Sequence, residues 1–257
     1  LTKNIKNVKM KGVLAVSNRI AFVSGKGGVG KSTIVSGIAL ALSAMKKRVL
    51  IVDCDACADA QKIFFNCREE SLFNLGDLMS ERCDLCSAVT KVRNTGISII
   101  TPPENYKDTE FTIFYEEVMN KLSDVYDYIL FDASSGMDNS YNLAIKACEV
   151  AVIITTDEPF SLAFAEKIAY DLEKRKIPKR FVINKLEPKN KRRKGLDLDE
   201  LSDRFSTGII GAVVMAENHS LDKIDSMLKE ERAFRCIIRI AKRLNGEYIK
   251  FGIDKRY

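Results

Sequence analysis

Short apolar, β-branched runs recur along the chain at Arg19–Ser24, Arg48–Asp53, Gly96–Thr101, Asp127–Asp132, Val150–Thr155, Arg180–Asn184 and Ile209–Val214. Most are separated by stretches whose apolar residues return with helical period. Runs such as VLIVD and AVIITT are apolar without alternation, which is the pattern of strands covered on both faces. The rhythm therefore predicts right-handed βαβ units and an α/β fold: one doubly wound, mainly parallel sheet with helices on both faces. Such sheets bind ligands outside the carboxyl ends of their strands, so chemistry is expected in the residues just after each run.

Composition narrows this picture. A chain of 257 residues with 46% hydrophobic content suffices for one large core, and no internal repeat or Gly/Ser linker divides it. Residues 1–18 are read as an N-terminal extension and 19–257 as one domain. The net charge of +6 is spread over short basic runs, among them Lys174–Arg180 and the lysine-rich loop Glu187–Gly195. It permits an acidic partner without requiring one. Seven cysteines, an odd count, and no charged-then-apolar leader predict a reducing cytoplasm. No apolar run approaches the ~20 residues that span a bilayer.

The first strand runs into GKGGVGKS, Gly25 to Ser32, which satisfies G-x-x-x-x-G-K-[ST] between a strand and a helix. Glycines at Gly25, Gly27, Gly28 and Gly30 let backbone N–H groups wrap an anion, and the helix beginning near Thr33 adds its dipole. Such a loop binds nucleoside-triphosphate phosphates. Lys31 is expected at the β- and γ-phosphates, the Ser32 hydroxyl on Mg²⁺, and Val29 and Thr33 beside the phosphates. A glycine-rich turn with an incidental lysine is a poor alternative, given the strand-loop-helix context.

An additional lysine early in the loop, Lys26, makes KGGVGKST resemble the MinD/ParA family of deviant Walker A P-loop ATPases, and within it the MinD branch. The resemblance continues through VDCDACADA (Val52–Ala60), NLGDLMSERCDL (Asn74–Leu85), FDASSG (Phe131–Gly136), TTDEPFS (Thr155–Ser161) and FVINK (Phe181–Lys185), over about Arg19 to Asn245. It implies a cytoplasmic ATP hydrolase using ATP and Mg²⁺, with an ATP-dependent homodimer, an ADP-bound monomer and a protein partner. Lys26, Lys31 and Asp55 become the catalytic set: Lys26 touches the nucleotide of the opposite subunit and Asp55 orients the attacking water. Ser32, Asp53 and Asp132 hold Mg²⁺, partly through water. Gly136 donates its N–H to the γ-phosphate, and Asn184 meets adenine.

The chain also departs from the MinD pattern. Cys57, Asp59, Ala60 and Lys62 replace the Gly, Arg, Asn and Asp that follow the D-x-D segment, and Ala165 replaces an Asp after TTDEP. The Pro-Glu pair that frames adenine near Val214 is absent or displaced. The branch ends in a basic amphipathic helix that lies in the membrane interface. Here Glu231–Leu244 has Ala233, Phe234, Ile237, Ile238, Ala241 and Leu244 on one face and Arg232, Arg235, Arg239, Lys242 and Arg243 on the other. It aligns better with the family's last core helix, closed by Gly246, and the eleven residues that follow are too short for a lipid-binding helix. Core packing is the expectation; peripheral contact with the inner face of the cell membrane is the alternative.

The resemblance favours a positional switch in cell division or a related process. A ParA-like partitioning ATPase, gripping DNA phosphates with the basic runs, is a second reading. A third is an Mrp-like iron–sulfur carrier, motivated only by the pairs Cys54/Cys57 and Cys83/Cys86; their 25-residue separation exceeds usual ribbon spacing, and ordinary buried thiols are favoured. Lone His219 carries no interpretation.

Overall fold

A computed structural model describes residues 19–54, 60–67, 71–101, 109–186, 205, 208–216 and 223–250. Eight strands form one sheet: β1 (Arg19–Ser24), β2 (Val49–Asp53), β3 (Thr90–Lys91), β4 (Ile97–Ile100), β5 (Tyr128–Ser135), β6 (Val150–Thr155), β7 (Lys179–Leu186) and β8 (Ile209–Val214). Their order is β3-β4-β2-β5-β1-β6-β7-β8. Every pairing is parallel except β3 with β4. The seven runs predicted from the sequence all appear as strands, and the two-residue antiparallel edge strand β3 is an addition.

The helices are α1 (Lys31–Ala44), α2 (Ala60–Phe64), α3 (Leu75–Met79), α4 (Leu85–Ala88), α5 (Thr109–Val125), α6 (Asn139–Ala147), α7 (Pro159–Lys174), α8 (Ile224–Lys229) and α9 (Glu231–Leu244). Successive strand residues point to opposite faces, so each central strand feeds two cores. Ile20, Phe22, Val49 and Ile51 pack with Ile34, Ile38 and Leu42 of α1 and Ile237, Ile240 and Leu244 of α9. Ala21, Val23, Leu50 and Val52 pack on the other side with Tyr115 and Met119 of α5, Tyr141 of α6 and Leu162 and Ile168 of α7.

Helix α9 is a core helix. Ala233, Ile237, Ile240, Ala241 and Leu244 are buried, and Phe234 and Ile238 are partly buried against the same cluster. Gly246 at φ 83° ends it, with Glu247 N–H donating to Lys242 O and Gly246 N–H to Arg243 O, a Schellman closure. Arg243, assigned to the polar face from sequence, instead turns its guanidinium onto the Ile210, Ile249 and Lys250 carbonyls. No helix among the described residues is long and apolar enough to cross a membrane.

The chain leaves β1 toward β2 on one side and returns from β5 to β6 on the other, so the sheet reverses winding around β1. The carboxyl end of β1 is therefore the crevice where a ligand belongs.

Candidate functional site

The loop after β1 wraps the N-terminus of α1. Gly28 and Gly30 lie at φ 76° and 87°, where a Cβ is strained, and Gly30 is the N-cap of α1 without a side-chain cap. No acidic residue occupies the first turn of α1, so its orphan amides and dipole favour an external anion. A Cβ on Gly25 would lie 2.4 Å from Phe164 Cβ, and one on Gly30 would lie 2.4 Å from Asn184 Nδ2. Helix α7 and strand β7 thus press on the loop where only glycine fits. Ser32 and Thr33 stand in the first turn of α1.

Lys31 is buried and its ammonium is bound to the Asp132 carboxylate at the site end of β5. Gln61 in α2 ties this pair to its neighbours. Its Nε2 donates to Asp132 Oδ2 at 2.7 Å and Ser32 O at 3.1 Å, its backbone N–H donates to Asp53 Oδ2 at 3.0 Å, and its Oε1 accepts from Ser36 at 2.7 Å. Two buried carboxylates from adjacent strands, Asp53 and Asp132, are thereby linked through Gln61 to Ser32 at the start of α1. Hard oxygen donors of this kind suit Mg²⁺. Cys54, next along the chain, packs into the opposite core with Val52; burial, reinforced by the Asp53 and Asp132 carboxylates, pushes its thiol well above its ordinary pKa.

Lys26 sits at the mouth of the loop and donates to Glu158 Oε2 at 2.5 Å. The side chains are 44% and 59% exposed. Glu158 is the N-cap residue of α7, ahead of Pro159, and the hydrogen bond and charge of Lys26, with a further contribution from Lys185, hold its carboxyl below the usual range. On the β5 side, Gly136 at φ 106° donates its N–H to Ser24 O at 2.8 Å, so this amide is engaged by the loop's own strand. Asn184 donates from Nδ2 to Val29 O at 2.8 Å.

The structure thus gathers Gly25, Lys26, Gly27, Gly28, Val29, Gly30, Lys31, Ser32, Thr33, Asp53, Asp132, Gly136 and Asn184 around one helix terminus. Asp55 and Cys57 lie outside the described residues. Gln61, Glu158 and Lys185 were given no role from sequence. Glu158 and Lys185 fall within motifs already singled out, whereas Gln61 is an isolated polar residue that only the fold brings to the site. The expectation of buried thiols holds for Cys54 and in part for Cys83, which packs partly buried against the core ahead of α4, but not for Cys86, which the first turn of α4 leaves exposed. Among the described residues, no cluster of three His, Cys, Asp or Glu side chains could hold a metal ion.

Known proteins resemble this chain over most of its length. The septum site-determining protein MinD of Bacillus subtilis is 26% identical over 246 residues, covering 91% of this chain and 91% of that protein. The MinC:MinD cell division complex of Aquifex aeolicus matches with TM-score 0.80 at 25% identity, over 91% of this chain and 97% of that one. MinD of Pyrococcus horikoshii complexed with Mg-ADP matches with TM-score 0.72 at 21% identity, over 90% and 98%. The family profile described as AAA domain spans residues 17–181, and with the phosphate cradle, Lys26 and the carboxylates in place the chain belongs to that family as a P-loop ATPase of MinD/ParA type, close to MinD.

Proposed function

We propose that this ATPase is a Mg²⁺-dependent dimerisation switch, with an ATP-bound dimer and an ADP-bound monomer that differ in affinity for a protein partner, serving the placement of the division site or a related positioning process. The observation that carries this reading is a second lysine at the cradle mouth. Lys31 lies at the base of the loop, whereas Lys26 is on an exposed rim, paired with a solvent-facing carboxylate. A cation there can turn outward to the nucleotide of a second subunit. The Bacillus subtilis and Aquifex aeolicus relatives, with their septum and MinC:MinD titles, support the process and the protein partner.

In this reading the loop amides and Lys31 bind the phosphates, the phosphates competing with Asp132 for the ammonium. Ser32 with Asp53 and Asp132 would hold Mg²⁺, partly through water, and the ion would supply neutralisation of the phosphate charge. Asp55 orients the attacking water. Gly136, whose φ only glycine adopts easily, exchanges its Ser24 bond for a γ-phosphate contact. With its NH₂ fixed on Val29, Asn184 presents its amide oxygen to the adenine amino group.

A cytoplasmic place of action accords with six described cysteines that are all free thiols. Burial of the α9 apolar face removes the strongest candidate for a membrane anchor. The DNA-binding alternative is weakened because basic residues of the 174–180 run are matched within the chain: Lys179 pairs with Glu173 at 3.1 Å and Arg175 with Asp171 at 2.7 Å.

The reading is tested by comparing ATP binding and hydrolysis in Lys26→Ala and Asp55→Ala. Both variants are expected to bind ATP and to lose about 10²–10³ in turnover, as removal of a transition-state contact does. Equal losses of ATP affinity and turnover would make the two residues ordinary binding groups and defeat the proposal.

A further inference from the structure

Three successive carbonyls of the phosphate loop are held by donors, one from α1 itself and two from outside the cradle. Gly30 O accepts from Ile34 N–H at 3.0 Å, Val29 O from Asn184 Nδ2 at 2.8 Å, and Gly28 O from Lys185 Nζ at 2.7 Å. A peptide whose carbonyl is fixed outward turns its amide the opposite way. Nests of backbone N–H groups bind anions only when those amides converge.

Two of the three donors are consecutive residues of β7. In a regular strand, consecutive side chains point to opposite faces, and only one could reach the loop. The β7–β8 register breaks at this place: Ile183 pairs with Ala212 and Leu186 with Val214, so two residues of β7 stand against one of β8. Lys185 takes φ 57°, a left-handed conformation uncommon for a lysine. The bulge re-aims its side chain onto the same loop that Asn184 holds.

We propose that Lys185 is a positioning residue of the nucleotide site, holding the Gly28 carbonyl away from the cradle so that the loop amides converge on phosphate. The inference rests on the nucleotide-site reading above and adds a role to a residue outside the G-x-x-x-x-G-K-S signature. Lys185 acts through the backbone of Gly28, not through contact with reacting atoms. Its charge also faces Glu158, which ties the loop rim on the α7 side through Lys26. The loop is therefore strapped from β7 and from α7 at once.

The test uses Lys185→Met, which keeps the stem without the ammonium, Lys185→Asn, which tolerates left-handed φ but cannot supply the cation, and Lys185→Arg. Binding of Mg-ATP and of base-free Mg-tripolyphosphate is measured by calorimetry, with amide hydrogen exchange of residues 25–32 in protein without nucleotide. Methionine and asparagine variants are expected to weaken both ligands by about tenfold, the scale of one charge-assisted hydrogen bond, with faster loop exchange; arginine restores both. Loss of ATP affinity alone would mean that Lys185 contacts base or ribose and would overturn the proposal. Unchanged loop exchange would overturn it whatever the ligands do. Failure of the parent protein to bind ATP would instead sink the nucleotide reading on which the proposal stands.

Discussion

Removing the Lys31 ammonium would leave the Asp132 carboxylate, 1% exposed, with Gln61 as its remaining described hydrogen-bond donor. An uncompensated buried charge costs about 3–5 kcal/mol, so Lys31→Ala is expected to lose stability as well as nucleotide. Urea unfolding should show that loss, and Lys31→Ala with Asp132→Asn should recover most of it without recovering ATP binding. A single variant as stable as the parent would mean that the pair does not hold the site together. Tyr128 gives a second residue-level expectation. Burial, helped by the Asp127 charge, raises its phenol to about 12, and its hydroxyl donates to Asn245 Oδ1 at 2.9 Å. A tyrosine in the unfolded chain ionises near ~10. The folded pKa is the higher, so this contribution to stability is complete below the unfolded value and is lost as pH rises toward about 12. The stability gap between the parent and Tyr128→Phe should therefore shrink across that alkaline window; a constant gap would assign the raised pKa no energetic role. The signature residues of the cradle were legible because a spaced string of glycines and Lys-Ser has one geometric meaning. Gln61 was not, since a lone glutamine acquires its four partners only when β2, β5 and α1 converge.

Among the elements, α9 is the one whose sequence admits two destinations, since an amphipathic face suits a core and a membrane interface alike. What decides is the receiving surface. A Cβ on Gly37 of α1 would meet Ile237 at 3.0 Å, and one on Gly211 of β8 would meet Ile240 Cγ1 at 2.2 Å. Glycines on two different elements thus leave room for two isoleucines of α9. Ile237→Ala should destabilise the fold by about 2–5 kcal/mol, the usual cost of such a core truncation. Binding to anionic liposomes should stay weak with ATP or ADP. A stable Ile237→Ala variant together with strong ATP-dependent sedimentation on vesicles would return α9 to the membrane. The same logic explains which elements the sequence announced. The parallel strands carry long apolar runs buried on both faces, but Thr90–Lys91 is too short to show any period. The β7 bulge was invisible as well, because a two-against-one register is a property of a strand pair and not of either strand.

For the molecule as a whole, the proposed switch requires each active site to be completed by another subunit. In this chain Lys26 is engaged by Glu158 on an exposed rim, a pair that water and salt weaken, so the ammonium is available to leave it. Across a two-fold interface each Lys26 would meet the opposite nucleotide, while Asp55 serves its own subunit. The two residues therefore predict a complementation that no single-chain mechanism allows. Lys26→Ala supplies Asp55 without the lysine, and Asp55→Ala supplies the lysine without the carboxylate. Alone, both should be nearly inactive. Mixed in equal amounts with ATP, half of randomly assembled dimers are mixed, and in each the Lys26→Ala subunit carries one complete site. Hydrolysis should then return to about a quarter of the parent rate. Sedimentation should show dimers in ATP and monomers in ADP. If Lys26 acts within its own chain, neither site of the mixed dimer is complete and the mixture stays as inactive as its components, an outcome that would remove the second subunit from the mechanism.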